Sequence, residues 1–232
     1  MKTGTLHPLT IIEHEVYKIL TGMGFEITSA RELEDEWHNF DALRIEKNHP
    51  ARDMQDTFYI KDLPGMVLRT HTSNTQIRRM KQLKELGQEP PFAFCTVGKV
   101  FRNESTDATH EMQFHQVEGF VIGEGISVAH LKGVLLRFIK ELYGDTAKIK
   151  LRPSFFPFVE PGFEVAVWTG KKWLELLGAG MVHPEVIENG GYDSKKYTGF
   201  AFGMGLDRLA VIKYGISDIR LFSSGDERIN QF

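Results

Sequence analysis

The chain has 232 residues, of which 41% are hydrophobic and 25% charged, which is enough apolar material for one substantial core and most simply for a single domain. Its net charge of -3 and pI of about 6.3 argue against a generic nucleic-acid-binding domain, which usually has a basic surface. Cys95 is the only cysteine, so an intrachain disulfide and a cysteine-cluster metal site are excluded. Apolar runs such as GVLLRFI are too short to span a bilayer, and the N-terminus lacks the apolar segment of a secretory signal.

The N-terminal segment predicts a helix followed by a short strand. Thr10 followed by Glu13 is a capping box that would open the helix, and Gly22 and Gly24 would close it before a strand over 25–28. The apolar stripe of this helix indicates core packing or a subunit contact, and it predicts no chemistry.

Two further strands are predicted over 56–60 and 67–71, before and after a turn. His38 and His49 precede them and have no partner at metal-ligand spacing, so we interpret both histidines as structural.

The string RTHTS, residues 69–73, lies where a strand would end and a helix would begin. His71, Thr72 and Ser73 would meet the free N–H groups of that helix and could hold a carboxylate. The alternative, that Thr72 or Ser73 is only a helix cap, is equally compatible with these residues. The helix that follows has a basic face that could stay solvated or meet phosphate, formed by Arg78, Arg79, Lys81 and Lys84.

The stretch over 101–119, FRNESTDATHEMQFHQVEG, predicts two strands joined by a polar loop. Residues two apart share a strand face, which groups Arg102 with Glu104. After the loop a second group shares one face: Phe114, Gln116 and Glu118. An arginine fork can bind a phosphate through two hydrogen bonds, and a nearby carboxylate can accept one from the amino group of adenine, so the pattern indicates nucleotide binding. A surface arginine–glutamate pair on a hairpin is the alternative that these residues leave open.

The segment LRPSFFPFVEPGFEVAV, residues 151–167, puts three prolines into a strand context. Proline confines such a strand to a sheet edge or an irregular position. There Phe156 and Phe158, which share a face, could line a pocket for a flat apolar ligand, or they could be core aromatics. The helix predicted before this segment, over 127–143, has a packing role.

Glycine-rich stretches follow towards the C-terminus. A strand over 173–177 leads into small residues that allow close backbone approach. A second strand, over 200–202, is expected to enter a glycine loop and then a helix that begins at Leu206 and ends at Gly215. Arg208 lies in the first turn of that helix, a position suited to a polyphosphate.

Together these strings resemble the class II aminoacyl-tRNA synthetases. FRNE...FHQVEG is similar to their motif 2, GMGLDRLA to motif 3, and LHPLT with the first helix to the motif 1 region. The resemblance is closer to the catalytic α chain of phenylalanyl-tRNA synthetase, through HNFDAL, HPARDMQDTFYI, RTHTS, DATHEMQFHQVEG, FFPFVEPG, LGAGMVHPEV and TGFAFGMGLDRLA. It implies an α+β fold, an antiparallel β-sheet flanked by α-helices, in a single catalytic domain over 1–232.

The resemblance implies an ATP site in which Arg102 and Arg208 are the catalytic groups. Arg102 would bind the α-phosphate, Glu104 would read adenine, and Arg208 would hold the γ-phosphate from the other side. Two further ATP contacts are implied, His110 to the β- or γ-phosphate and Phe114 to the adenine ring.

The same resemblance implies a pocket for phenylalanine. Its polar end would hold the ammonium and carboxylate groups with His71, Ser73, Gln76, Gln116 and Glu118. Its apolar end would hold the ring between Phe156 and Phe158, with Ala201 at the far end of the ring and with Val159, Ala179 and Gly203 nearby.

The reaction implied is formation of phenylalanyl-adenylate from phenylalanine and ATP, followed by transfer of the phenylalanyl group to tRNA(Phe). Mg²⁺ is expected with Glu160 as its ligand. The expected partner is a β subunit, in a heterotetramer of two α and two β chains, or a second copy of the chain if it acts alone. The expected location is the cytoplasm, without membrane contact.

One departure from the family concerns the N-terminus. The family's α chains usually have a long helical arm before the LHP segment, whereas five residues precede Leu6 here, so the arm is expected to be absent. Two alternative functions stay open: a class II paralogue that activates another amino acid, and a non-catalytic synthetase-like binding module.

Overall fold

A computed structural model gives the fold and describes residues 4–53, 56–103, 105–108, 110–168, 172–226 and 229. The strands in this part of the chain are β1 (Glu26–Ile27), β2 (Leu33–Asp35), β3 (Met66–Leu68), β4 (Phe92–Phe101), β5 (Gln113–Gly123), β6 (Lys148–Phe156), β7 (Val159–Trp168), β8 (Trp173–Val182) and β9 (Thr198–Gly205). The α-helices are α1 (Pro8–Gly22), α2 (Glu36–Asn39), α3 (Asn74–Glu85), α4 (Val128–Tyr143), α5 (Pro184–Asn189) and α6 (Leu206–Tyr214).

Seven of these strands form one sheet in the order β1-β4-β5-β9-β8-β7-β6, and β2 pairs with β3 in a separate two-stranded sheet. All neighbours in the large sheet are antiparallel except β1, which pairs parallel with β4. Strand β9 lies between the β4–β5 hairpin and the β6–β7–β8 meander, so it joins the two halves of the chain. The predicted α+β class is confirmed, in the form of a mixed and mostly antiparallel sheet.

Different helices cover the two faces of the large sheet. One face packs against α1, α4 and α6, where Ile12, Leu135 and Leu209 are fully buried. On the other face, Phe120 of β5 packs in a second cluster with Ile77 of α3 and with residues of α5. Alternation along the strands produces this division, because successive side chains point to opposite faces.

The pairing register carries one row of residues across the second face. Its successive Cα partners are Thr96, Glu118, Gly203, Gly178, Glu164 and Arg152. Side chains of directly paired residues project to the same side. Residues from six strands therefore share the face that α3 and α5 cover only in part, and this face holds the candidate site.

Helix α1 begins earlier than predicted. Pro8 is its first residue, and Nδ1 of His7 accepts a hydrogen bond from the N–H of Leu9 at 3.2 Å. The capping box expected at Thr10 and Glu13 is therefore wrong. Proline suits the first position of a helix because its missing N–H would have no helical partner there, and this signal decides where the helix starts.

The strand predicted over 56–60 is also wrong. In this segment only Tyr59 makes a bridge, to Val67 of β3. Strand β3 ends at Leu68, so residues 69–73 form an irregular connection to α3. This connection lets their side chains reach the large sheet.

Strands β8 and β9 are longer than predicted. Gly203 and Gly205 lie within β9, so the predicted glycine loop does not exist. Helix α6 begins at Leu206 and ends before Gly215, whose φ of 68° is in the left-handed region that glycine adopts without strain, as predicted.

The prolines occupy the positions expected of them. Pro153 lies in the edge strand β6, and Pro161 lies where the β7–β8 pairing shifts register. Helix α4 follows Ser127 and ends at Tyr143, directly before Gly144, as predicted. Among the described residues, the structure has no helix with the length and apolar character needed to cross a bilayer.

Candidate active site

Two adjoining cavities open on the sheet face that carries α3 and α5. The first has a volume of about 560 Å³ and the second of about 440 Å³. Both are lined by Arg102, Gln116, Phe156, Gly178 and Gly203. A group bound in one cavity would therefore lie beside a group bound in the other.

Most of the site residues predicted from the sequence line these cavities. The first is lined by His71, Ser73, Arg102, Gln116, Glu118, Phe156, Phe158, Val159, Ala179, Ala201 and Gly203. The second is lined by Arg102, His110, Phe114, Gln116, Phe156, Gly203 and Arg208. Gln76 and Glu160 line neither cavity, and Glu104 lies outside the described residues.

Glu118 is a buried carboxylate in the wall of the first cavity. Its Oε1 accepts a hydrogen bond from Nε2 of Gln76 at 2.5 Å, and its Oε2 accepts from the hydroxyls of Thr72 at 3.0 Å and Ser73 at 3.2 Å. Burial raises the pKa of Glu118 to about 7, although these three hydrogen bonds act in the opposite direction. A bound cation would favour the ionised form.

This network shows what the hydroxyls of Thr72 and Ser73 do. Helix α3 begins at Asn74, and the side chain of Ser73 makes no capping hydrogen bond to it. Both hydroxyls donate to Glu118 instead. The interpretation of Thr72 and Ser73 as simple helix caps is therefore wrong, and the carboxylate held at this junction belongs to the protein itself.

His71 lines the first cavity, and its ring has one protonated and one unprotonated nitrogen. Its Nε2 lies 2.9 Å from the carbonyl oxygen of Asn39, which can only accept, so Nε2 bears the proton. Burial and, secondarily, the charge of Arg102 lower the pKa of His71 to about 4, so the ring is neutral at pH 7. Nδ1 is then an unprotonated acceptor, and it is buried without a partner among the described residues.

Gln116 adds a third acceptor to this wall. Its Oε1 is buried and has no hydrogen-bond partner in the described part of the chain. Three residues that line the first cavity, Gln116, Glu118 and His71, therefore contain buried acceptor atoms. A primary ammonium group has three N–H donors and no acceptor, so this wall is complementary to it.

Phe156 and Phe158 form an apolar part of the lining of the first cavity. Their ring centroids are 6.1 Å apart with planes at 29°, and the ring of His71 lies 6.2 Å from that of Phe158. A Cβ on Gly178 would lie 3.0 Å from Cζ of Phe156, so glycine allows the ring its position. The two rings lie in stacking distance of each other, and the expectation that a ligand ring lies between them stays a prediction.

Arg102 and Arg208 are the two arginines that line the second cavity. The guanidinium carbon of Arg102 lies 5.1 Å from the ring centroid of Phe114, and its Nε donates to the carbonyl oxygen of Thr70 at 3.2 Å. Arg208 projects from the first turn of α6, where the helix dipole also favours anions. His110 lines the same cavity. These groups suit a polyphosphate.

Asp207 ties α6 to β5 beside this cavity. Its Oδ2 accepts a hydrogen bond from the backbone N–H of His115 at 2.7 Å, and the residue is largely buried. Arg208 follows Asp207 directly, and Phe114 precedes His115. This one bond therefore fixes two walls of the second cavity relative to each other.

Four carboxylates that were not predicted as site residues line the second cavity: Glu111, Asp207, Glu164 on β7 and Glu175 on β8. Carboxylate oxygens are the ligands that Mg²⁺ prefers, so the donor set of this cavity fits that ion. The side chain of Glu160 is 78% exposed, and its Oε2 lies 3.8 Å from Nε2 of His183. Strand alternation could have assigned Glu164 to a face, but only the pairing of β7, β8 and β9 brings both glutamates beside Arg102.

The cations of α3, outside the cavities, have partners of their own. The basic face of α3 is occupied by acidic and aromatic partners: Arg78 by Glu34 and Asp35, Arg79 by Glu26, Lys84 by Glu89, and Lys81 by the ring of Trp37. Glu34, Asp35 and His38 offer oxygen and nitrogen atoms within 4.8 Å of one another, but these atoms also bond each other and Arg78. His49, interpreted as structural, lines the first cavity.

Comparison with known proteins agrees with this geometry. Residues 1–232 match the family described as tRNA synthetases class II core domain (F). The chain is 47% identical over 243 residues to the phenylalanine--tRNA ligase alpha subunits of Bacillus mycoides, Bacillus cytotoxicus and Bacillus cereus, covering 100% of this chain and 69% of each relative. Pyrrolysyl-tRNA synthetase from Desulfitobacterium hafniense matches with a TM-score of 0.74 and 18% identity, over 94% of this chain and 74% of that chain, which shows the fold alone.

Proposed function

This chain belongs to the class II aminoacyl-tRNA synthetases, among the phenylalanine--tRNA ligase alpha subunits, and from that premise we propose which of its groups activate L-phenylalanine with ATP and transfer it to tRNA(Phe). The assignment of the site rests on one observation. Buried acceptors that suit an ammonium group belong to residues that line a cavity together with two phenylalanines, and this cavity adjoins a second one that contains Arg102 and Arg208.

The amino acid binds in the first cavity. Its ammonium group donates to Glu118, to Oε1 of Gln116 and to Nδ1 of His71, and Ser73 and Gln76 hold the Glu118 carboxylate in place. Its ring packs against the apolar part of the wall, which consists of Phe156, Phe158, Val159, Ala179 and Ala201, and Gly203 leaves room for the polar groups. An apolar slot rejects an added hydroxyl by only about 10², so tyrosine is the expected competitor.

ATP binds in the second cavity. Arg102 contacts the α-phosphate near the junction of the two cavities, and Arg208 and His110 contact the outer phosphates. The adenine ring stacks on Phe114, whose position beside Arg102 supports this assignment. The proposal that Glu104 reads the adenine amino group rests on the family motif.

In the first step a carboxylate oxygen of phenylalanine attacks the α-phosphorus in line. A new P–O bond forms, the bond from the α-phosphorus to the bridging oxygen breaks, and pyrophosphate leaves with that electron pair. The substrate carboxylate is already ionised, so the step requires no general base. The protein contributes positioning of the two reactants and neutralisation of developing charge by Arg102 and Arg208.

Mg²⁺ would supply further charge neutralisation on the phosphates. The carboxylates Glu164 and Glu175 line the phosphate cavity and would hold the ion there. Glu160 lines neither cavity, so its proposed role as a ligand rests on the family resemblance and not on this geometry.

The second step transfers the phenylalanyl group to the terminal ribose of tRNA(Phe). We further propose a β subunit as partner, in an assembly of two α and two β chains, because the relatives are named alpha subunits; a homodimer is the alternative. The cytoplasm, where tRNA is charged, is the proposed location.

Exchange of labelled pyrophosphate into ATP tests the first step directly. The assay uses the chain alone and the chain co-expressed with its β subunit, with phenylalanine, with tyrosine and without amino acid. We expect exchange with phenylalanine, and exchange with tyrosine lower by about 10² in kcat/KM.

Other outcomes would identify the alternatives. Exchange supported only by another amino acid would indicate a paralogue of different specificity. A folded protein with no exchange in either preparation, for any amino acid, would be a binding module.

A further inference from the structure

A basic stripe runs along one edge of the large sheet, on the same face as both cavities. Strand β6 is the edge strand, and Lys148, Lys150 and Arg152 alternate along it with Ile149 and Leu151. The two apolar residues pack in the cluster that contains α4. The three cationic side chains therefore project from the opposite face, and all three residues are exposed.

The strand register joins this stripe to the phosphate cavity. Arg152 pairs with Glu164, and Lys150 pairs with Ala166, which itself pairs with Glu175. Both glutamates line the second cavity. The stripe thus begins one strand away from the cavity wall and continues with a cation about every 7 Å, the distance between strand residues two apart.

Ion pairs do not neutralise the stripe. Within the described residues, no carboxylate oxygen lies within 4.0 Å of the charged nitrogens of Lys148, Lys150 or Arg152. Glu164, opposite Arg152, accepts a hydrogen bond from Ser154 at 2.9 Å. The stripe differs in this respect from the basic face of α3, whose cations are paired with acidic residues.

Exposed aromatic rings lie at both ends of the stripe. Phe155 is 81% exposed and stands at the mouth of the first cavity. At the other end, Trp173 is 39% exposed, and its ring lies 5.6 Å from that of Trp168, the strand partner of Lys148. A cationic track with aromatic rings is the composition that binds single-stranded nucleic acids, through phosphate contacts and base stacking.

We propose that this stripe binds the single-stranded 3′ end of the acceptor RNA, an inference that rests on the proposed function. The terminal ribose must reach the carbonyl of the adenylate, which forms where the cavities join. The preceding nucleotides then leave along β6, where successive phosphates meet Arg152, Lys150 and Lys148. Phe155, at the cavity mouth, stacks on a base of this segment.

The test measures the affinity of the protein, with its β subunit, for a transcript of tRNA(Phe) at several salt concentrations. Lys148→Ala with Lys150→Ala should weaken binding and reduce the slope of log affinity against log salt by about 1.4, because each phosphate of a single strand that a cation neutralises contributes about 0.7 to that slope. Phe155→Ala should weaken binding without changing the slope, because stacking releases no counterions.

The matched control is Lys132→Ala with Arg137→Ala. These two exposed cations lie on α4, behind the sheet, and their loss changes the net charge by the same amount. The control should bind the transcript like the unsubstituted protein, and phenylalanine-dependent pyrophosphate exchange should stay within about twofold in the two double variants, because RNA takes no part in that step.

Four outcomes would overturn the inference. The first is an unchanged slope of log affinity against log salt in the Lys148 and Lys150 variant, and the second is an equal change of that slope in the α4 control. The third is no RNA binding by the unsubstituted protein. The fourth is that the Lys148 and Lys150 variant loses its association with the β subunit while the RNA affinity of each assembled complex is unchanged. The last outcome would identify the stripe as a protein interface. Absence of pyrophosphate exchange in the unsubstituted protein would instead contradict the proposed function. The inference about RNA would then still be tested by the salt dependence of RNA binding in the β6 variant and the α4 control.

Discussion

Nε2 of Gln76 donates a 2.5 Å hydrogen bond to Oε1 of Glu118, although the two residues lie on different elements, helix α3 and strand β5. The amide of Gln76 lies outside the cavity that Glu118 lines. Gln76 therefore holds the carboxylate from behind, and the hydroxyls of Thr72 and Ser73 hold its other oxygen. A carboxylate fixed on both oxygens can bind an ammonium group without first being ordered, which lowers the entropic cost of binding.

Activation of phenylalanine should depend on pH through Glu118. Burial raises the pKa of this carboxyl to about 7, so lowering the pH below 7 protonates it and removes the negative charge that attracts the ammonium group. We expect kcat/KM for phenylalanine in pyrophosphate exchange to fall about tenfold for each pH unit below that pKa. The His71 ring stays neutral in this range, because its pKa is about 4.

Glu118→Gln is the variant that isolates this effect. It keeps the size of the side chain and removes the titratable charge, so kcat/KM for phenylalanine at pH 8 should fall about 10- to 100-fold, the value of a charged hydrogen bond, and the pH dependence should disappear. KM for ATP should change little. The same pH profile in both proteins would exclude Glu118 as its source.

Local alternation predicted the shared face of Phe114, Gln116 and Glu118, because side chains of a strand alternate whatever its neighbours are. The predicted start of α1 was wrong because the sequence has two helix-start signals close together. The helix begins at Pro8 and not at the capping box of Thr10 and Glu13. The positions of Glu164 and Glu175 could not be predicted, since they depend on pairing between strands that are distant in the chain. The family resemblance gave Gln76 a contact to the amino acid, and no local pattern indicates that this helix amide would instead bond Glu118 from outside the cavity.

Arg102→Ala should slow adenylate formation strongly. Loss of one donor to the developing charge on the α-phosphate typically costs about 10² to 10³ in kcat, and we expect that decrease in phenylalanine-dependent pyrophosphate exchange. Arg137→Ala, an exposed arginine of α4 behind the sheet, is the control and should leave the rate unchanged. A decrease of less than about tenfold, in a variant whose melting temperature matches the parent, would count against the α-phosphate contact.

Ala201→Gly should widen the amino-acid specificity. Ala201 is 3% exposed and lines the first cavity near the phenylalanine rings, so removal of its methyl group would deepen the slot. We expect para-substituted phenylalanines to support pyrophosphate exchange in this variant, and the free energy of unfolding to fall by about 0.5–1 kcal/mol because glycine weakens a strand.

Ala93→Gly provides the matched control for that prediction. Ala93 is a partly buried residue of β4 that lines neither cavity. It should show a similar loss of stability without any new substrate. If both variants activate the same amino acids as the parent, Ala201 does not limit the depth of the slot.

Two glycine-to-alanine changes should affect different quantities, one the KM for phenylalanine and the other the free energy of unfolding. A Cβ on Gly203 would lie 2.7 Å from Nε2 of Gln116 and 3.3 Å from Oε2 of Glu118, so Gly203→Ala must displace the Gln116 side chain. We expect KM for phenylalanine to rise on the order of tenfold, because the acceptors for the ammonium group lose their arrangement. The measurement is pyrophosphate exchange at varied phenylalanine concentration, with ATP saturating.

Gly133→Ala is the comparison, since Gly133 is exposed within α4 and a Cβ there would meet no atom within 4 Å. Alanine has the better helix propensity, so this change should raise the free energy of unfolding by about 0.5–1 kcal/mol and leave KM for phenylalanine unaltered. Urea unfolding of both variants separates the two effects. If Gly203→Ala raised KM only in proportion to a loss of folded protein, the cause would be stability and not displacement of Gln116 from the ammonium site.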